Sequence, residues 1–364
     1  MKIVSIGYSK TAAFTDPEAW LTQISFYTGL LEELANHHTV ESIERINYEG
    51  LHHQNGVVYH FVQLTKEVER FPLQLHRVLK QLQPDVVLVN GFSFPLQILQ
   101  LRMAVGTSVK ILVLHRAEKP VTGIRKWVQF AAGTCVDAYL FASGDMGRQW
   151  TKSGQLRNGH KVQEVLPASS SFSVKEKQST RKKLGIAGDP VYLWVGRLEQ
   201  NKDPLTVVKA FVRFWQRYPS ARLFLLFQTE ELLPNIKACI QSAGAEKAIE
   251  LVGKQSRHHL EDWYNSADFF LSGSHKESCG IALLEAMSCG CIPVVTDIAS
   301  FRKITAGCGM LYPAGDADAL FFKLQESLQL DLEEQRKKVL QHFQSELSFS
   351  AIAQKLTTLL HNLP

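Results

Sequence analysis

Glu277-Ser-Cys-Gly-Ile-Ala-Leu-Leu-Glu285 sets two carboxylates eight positions apart, with Gly280 between them. An apolar helix follows the glycine, and then the strand-like run Ile292-Pro-Val-Val295. Backbone amides at a helix start can hold a phosphate. An acid on either side of that start can grip hydroxyls. The arrangement suits a diphosphate flanked by two polyols.

A second group of chemically able residues lies in Leu193-Trp-Val-Gly-Arg197-Leu-Glu-Gln-Asn-Lys202-Asp203-Pro204. The strand ends at Gly196. Proline favours the first turn of a helix, so a helix starts near Pro204. Arg197 and Lys202 therefore fall in a strand-to-helix loop, at the carboxyl edge where open α/β sheets bind ligands. A guanidinium and an ammonium there can neutralise a diphosphate.

The elements that must position these residues alternate along the chain. Strands are expected at Ile3–Ile6, Val57–Val62, Asp85–Val89, Lys110–Leu114 and Asp137–Phe141, then at Val191–Val195, Arg222–Phe227, Phe269–Ser272 and Ile292–Val295. Many are almost wholly apolar, as parallel strands covered on both faces are. Between them, Leu205, Val208, Phe211 and Trp215 make one helical stripe, and Ile24, Tyr27, Leu31 and Leu34 another. Strand-helix alternation of this kind predicts doubly wound α/β domains. A serine-rich break after Pro167 divides the chain. The domains expected are 1–168, a linker at 169–184, and 185–347, with a last helix at 348–364 packing back on the first domain.

The chain has 364 residues, 45% hydrophobic and 21% charged, which fits a globular protein of about two domains. A net charge of +5 does not point to nucleic acid. The six cysteines show no Cys-x-x-Cys or zinc spacing, so they read as reduced thiols. No apolar run reaches the ~20 residues that span a bilayer, and no signal peptide is recognised. A cytoplasmic location is expected, or one peripheral at a membrane surface. Ile124-Arg-Lys-Trp-Val-Gln-Phe130 reads as a partly buried amphipathic helix, with anionic lipid contact as the alternative. Asp316-Ala-Asp318 reads as a helix cap rather than a metal motif. No Gly-x-Gly-x-x-Gly follows the first strand and no Walker motif occurs, which disfavours dinucleotide and P-loop chemistry.

Gly196-Arg197…Lys202-Asp203-Pro204, Gly253, Ser274-His-Lys-Glu277…Glu285-Ala-Met-Ser-Cys-Gly290-Cys-Ile-Pro293-Val-Val and Gly309-Met-Leu-Tyr-Pro313 occur in one order. Together they resemble the donor-binding domain of retaining GT-B glycosyltransferases of family 4 (group 1), strongly over about 190–330. The resemblance implies two Rossmann-like domains facing each other across a cleft. It also implies metal-independent transfer of a sugar, with retention, from a UDP- or GDP-sugar to a glycan or lipid-linked hydroxyl, in surface polysaccharide or glycolipid synthesis. No cofactor and no metal are implied.

Residue by residue, it gives Arg197 and Lys202 the donor diphosphate, Glu285 the ribose hydroxyls and Glu277 the transferred sugar. Gly280 and Ile281 open the phosphate-facing helix, with Ser274 and Cys279 in the same donor loop. Gly253 and Lys254 stand beside the base. His115, after the strand Lys110–Leu114, matches a histidine placed near the sugar. The acceptor side is weaker: Gly7-Tyr8-Ser9-Lys10-Thr11 stands where a double-glycine loop is usual, leaving Tyr8 and Lys10 as its candidates. A catalytically silent sugar-nucleotide-binding protein on this fold is one alternative. A nucleotide-sugar epimerase or phosphorylase is another.

Overall fold

A computed structural model describes residues 1–62, 70–116, 118–120 and 122–363. The chain forms two compact units, Met1–Ser169 with Phe349–Pro364, and Ser170–Ser348.

The first unit is built on β1 (Lys2–Gly7), β2 (Thr39–Glu44), β3 (Gly50–Gln54), β4 (Val57–Phe61), β5 (Val86–Asn90), β6 (Lys110–Leu114), β7 (Ala138–Phe141) and β8 (Val162–Glu164). Their order in the sheet is β3-β4-β2-β1-β5-β6-β7-β8. Only the β3–β4 hairpin is antiparallel. The sequence reading missed β2, β3 and β8. Strand β2 carries Glu41 and Glu44, yet lies inside the sheet because both acids are partnered. Lys2 pairs with Glu41 at 2.7 Å, and Trp20 Nε1 donates to Glu44 at 3.0 Å. The hairpin did leave a signal, because Asn55-Gly56 adopts positive φ at both residues, as a tight two-residue turn needs.

The second unit holds β9 (Val191–Gly196), β10 (Arg222–Phe227), β11 (Ile249–Leu251), β12 (Phe269–Ser272), β13 (Ile292–Thr296) and β14 (Met310–Tyr312). All pairings are parallel, in the order β11-β10-β9-β12-β13-β14. The three-residue strands β11 and β14 were not foreseen; both are edge strands too short to show a period. Helix Pro204–Arg217 buries Val208 and Phe211 in the core, as its stripe predicts. Among the described residues, no helix is long and apolar enough to cross a membrane.

Of the stretch expected as a linker, 169–184, residues 170–184 group with the second unit. Ser173 N–H donates to Glu261 at 2.8 Å, and Lys175 N–H to Asn265 at 2.7 Å. Helix Lys177–Leu184 then packs on helix Arg257–Ser266. A polar, serine-rich stretch reads alike in sequence whether water or distant side chains satisfy its backbone.

The last helix, Phe349–Asn362, packs on helix Ser25–Ala35 of the first unit. Phe349 fills a notch at Gly29, where any Cβ would overlap its ring. Gly29→Leu is therefore expected to destabilise the first unit by about 1–3 kcal/mol through overpacking. Urea unfolding checks this, and adding Phe349→Ala should recover part of the loss.

Candidate functional site

Why Lys202 and Glu277 meet follows from strand order. Strands β9 and β12 are parallel neighbours, with Trp194 opposite Leu271. The chain runs from β9 outward to β10 and β11, then returns to the other side of β9 as β12. The loops leaving β9 and β12 thus diverge at a switch point, where open α/β sheets form their ligand crevice.

Within that crevice Lys202 Nζ forms an ion pair with Glu277 Oε1. Ser274 Oγ donates to the same carboxylate oxygen at 2.9 Å. The two loops are laced by backbone. His275 N–H donates to Asn201 O at 2.8 Å, and Asn201 Nδ2 to Lys276 O at 3.0 Å. Gly273 lies so close that a Cβ would stand 2.6 Å from Asp203 O. Asp203 itself has φ of 41° and caps the helix at Pro204, accepting from Thr206 N–H at 3.2 Å. Thr296 Oγ1, from the end of β13, donates to Ser274 O at 2.6 Å and fixes the loop from below.

Gly280 precedes helix Ile281–Ser288 with φ of 59°, a conformation that suits glycine. A Cβ there would also lie 2.5 Å from the Phe301 ring. No side-chain hydrogen bond caps this helix start. Leu283 N–H turns back to Gly280 O at 2.9 Å, which leaves the Ile281 and Ala282 amides as the donors for a ligand.

Glu285 is buried one turn into that helix. Arg257 Nη1 donates to Oε1 at 3.1 Å and Tyr264 OH to Oε2 at 3.0 Å. Burial raises the Glu285 carboxyl above its ordinary range, and Arg257 and Tyr264 oppose the rise. Arg257 stacks over Phe172 at 4.6 Å, and its Nη2 is buried with no hydrogen-bond partner. The sequence reading missed Arg257, Tyr264 and Phe172. Arg257 and Tyr264 are seven apart and share a helix face, but nothing in the sequence aims that face at Glu285.

The remaining candidates are placed less tightly. Arg197 turns to Glu199 on its own loop at 3.0 Å, and its side chain is 58% exposed. Solvent screens a pair that open, so Arg197 is free to swing. Gly253 follows β11 and accepts from Phe227 N–H at 3.1 Å; Lys254 next to it is exposed. Cys279 is buried beside Gly280. Asp316 caps helix Ala317–Ser327, accepting from Ala319 N–H at 2.8 Å, and Asp318 pairs with Arg213. Among the described residues no three His, Cys, Asp or Glu side chains gather as a metal site.

Tyr8, Lys10 and His115 belong to the first unit. Tyr8 follows β1, at the corresponding switch point between β1 and β5, and is buried against His76 at 2.9 Å. Lys10 is partly buried in the same loop. His115 is only 2% exposed, boxed by Phe92, Phe141 and Trp150. Its Nε2 meets Glu118 O at 3.0 Å, and its Nδ1 is buried without a partner. Burial keeps this imidazole neutral by lowering its pKa.

Residues 176–341 match the family described as Glycosyl transferases group 1. The chain carries a group 1 glycosyl transferase domain. Lys202, Glu277 and Glu285 all lie within it. The domain's similarity extends to the alpha-monoglucosyldiacylglycerol synthase of Acholeplasma laidlawii, 30% identical over 127 residues, 35% of this chain and 31% of that protein. A GDP-mannose:cellobiosyl-diphosphopolyprenol alpha-mannosyltransferase from Xanthomonas campestris is 24% identical over 310 residues, 81% of this chain and 70% of that protein. The chain spans about a third of the length of several curated relatives it matches. In fold, it superimposes on Anabaena Alr3699/HepE, solved in complex with UDP, with a TM-score of 0.76 and 13% identity over all of both chains. The chain therefore has the GT-B fold, with two Rossmann-like bodies.

Proposed function

We propose that the chain transfers a sugar from a nucleotide-diphosphate donor to a hydroxyl acceptor, with retention and without an obligatory metal. The observation that carries this reading is the Lys202, Glu277 and Ser274 cluster beside the uncapped helix start at Gly280. A cation, an acid and free amides converge at one switch point.

In the reaction the bond from the sugar's anomeric carbon to the diphosphate oxygen breaks, and a bond to the acceptor oxygen forms on the same face. The acceptor proton passes to the departing diphosphate. Negative charge grows on that leaving group, and Lys202, Arg197 and the amides after Gly280 stabilise it. Both recorded contacts of Glu277 fall on Oε1, so Oε2 is offered to a sugar hydroxyl. Glu285 keeps lone-pair capacity beside Arg257 and Tyr264 and accepts from ribose hydroxyls. Gly253 and Lys254 flank the base. The donor is a UDP- or GDP-sugar, a choice supported by the UDP complex of the Anabaena neighbour and the GDP-mannose named for the Xanthomonas relative. The diacylglycerol and polyprenol acceptors those relatives' names specify support a lipid-linked acceptor here.

A panel of nucleotide sugars in thermal unfolding, with EDTA present, tests the reading. A cognate donor at a hundred times its dissociation constant adds ~2.7 kcal/mol of stability. Turnover of that donor should persist in the chelator. A panel with no stabilising donor, or turnover restored only by Mg²⁺ or Mn²⁺, refutes it.

The two acids should separate kinetically. Glu285→Ala is expected to raise the donor dissociation constant, because ribose contacts exist in ground and transition states alike. Glu277→Ala is expected chiefly to lower kcat, because its sugar becomes oxocarbenium-like. Calorimetric nucleoside diphosphate binding and initial rates distinguish them, and the reverse pattern would exchange their roles.

A further inference from the structure

The helix Ile124–Ala132 lies inside out. Ile124 and Trp127 are 83% and 70% exposed, and Phe130 is exposed along the same face, three residues apart in turn. The residues it buries are Gln129 and Ala132. The Gln129 Oε1 has no hydrogen-bond partner. The sequence pattern suggested an apolar stripe partly turned inward; the structure turns it to solvent. A helix that buries an amide and exposes a tryptophan and an isoleucine forgoes apolar burial it could have had. Helix Pro95–Val105 packs beside it and leaves Met103 86% exposed.

The stretch of chain that carries this face is basic in balance. Residues 119–161 contain seven Lys or Arg against two acids, a net charge as large as that of the whole chain. Both acids are already paired, Asp137 with Arg102 at 2.8 Å and Asp145 with Arg148 at 2.5 Å. Arg125 is exposed on the helix itself, and Arg157 leans over the Phe130 ring at 5.9 Å. Tryptophan and aliphatic side chains above a basic rim match an interface of acyl chains below anionic headgroups.

We infer that this face of the first unit docks on an anionic lipid bilayer. Ile124 and Trp127 enter between the lipids, and Arg125, Lys126 and Arg157 meet the phosphates. The inference stands on exposure and charge, independently of the transfer reaction.

The full chain, mixed with vesicles of phosphatidylcholine alone or with phosphatidylglycerol added, is pelleted and the bound fraction measured. Wild type should bind the anionic vesicles and barely the neutral ones, and less as salt is raised, because screening shortens the reach of the basic rim. Ile124→Ser with Trp127→Ser should weaken binding at least about tenfold, since two apolar side chains no longer enter the bilayer. Arg125→Glu with Lys126→Glu should weaken it comparably and abolish the preference for phosphatidylglycerol. The second pair removes no apolar contact, so it tests the face even where the first pair lowers the melting temperature. Wild type left in the supernatant with anionic vesicles overturns the inference. So does binding unchanged in both double variants, or a dimer in sedimentation velocity that needs Trp127 while vesicles are ignored.

Discussion

Replacing Lys202 with alanine is expected to lower turnover about a hundred- to a thousandfold, the range for removing one preorganised donor to a developing anion. Donor affinity should fall less, because the charge that Lys202 meets is larger in the transition state than in the bound substrate. The position of the ammonium makes the effect large. It is held at the β9–β12 switch point by Glu277, within a loop whose backbone is laced to the next. Arg197, more exposed and tied only to its own loop, does not supply a fixed charge at that position. Lys202→Arg should recover only part, since a planar fork does not replace a point charge in a fixed pocket. Single-turnover rates and donor binding check this, and a Lys202→Ala variant with wild-type turnover would remove the residue from the reaction.

Asp268→Ala is expected to destabilise the second unit by about 3–5 kcal/mol, the cost of breaking a buried ion pair from one side. Asp268 is buried at the entry to β12. It accepts from Lys177 Nζ at 2.7 Å, from Arg181 Nη2 at 2.6 Å and from Val191 N–H at 2.8 Å. It thus ties helix Lys177–Leu184 to two neighbouring strands, and its loss should expose that helix to protease first. Burial pushes the carboxyl up, but Lys177, the Val191 amide and Arg181 together hold it below its ordinary value of 3.8. A depressed carboxyl stabilises the fold above the unfolded value and loses that contribution as pH falls through the folded one. The stability gap between wild type and Asp268→Asn should therefore be full at neutral pH and shrink below about pH 3.8. A gap that widens in acid would contradict the assignment.

Much of the fold was legible because buried parallel strands are nearly continuous apolar runs. Val191–Val195, Phe269–Ser272 and Lys110–Leu114 announced themselves in that way. Strand β2 did not, since its glutamates are satisfied by Lys2, Trp20 and Ser42, which lie elsewhere in the chain or look ordinary there. The grouping of residues 170–184 with the second unit was hidden for the same reason. The order of this stretch comes from Glu261, Asn265, Asp262 and Asp268, 87 to 91 residues away in the chain. Helix Ile124–Ala132 showed its amphipathic period but not its direction, because a period cannot say which side the core is on.

The sequence by itself determined the local chemistry. Glu277, Gly280 and Glu285 are close in the chain, and one loop followed by one helix start is enough to relate them. The same holds for Asp316, whose side chain reaches an amide three residues on. Only the tertiary structure decided that Lys202 would meet Glu277 across 75 residues, because the meeting depends on β12 returning to lie beside β9. It alone brought Arg257 and Tyr264 onto Glu285, and it alone enclosed His115 in aromatic rings. Contacts within a turn are set by bond geometry and spacing. Contacts between loops are set by strand order, which burial of the whole sheet selects.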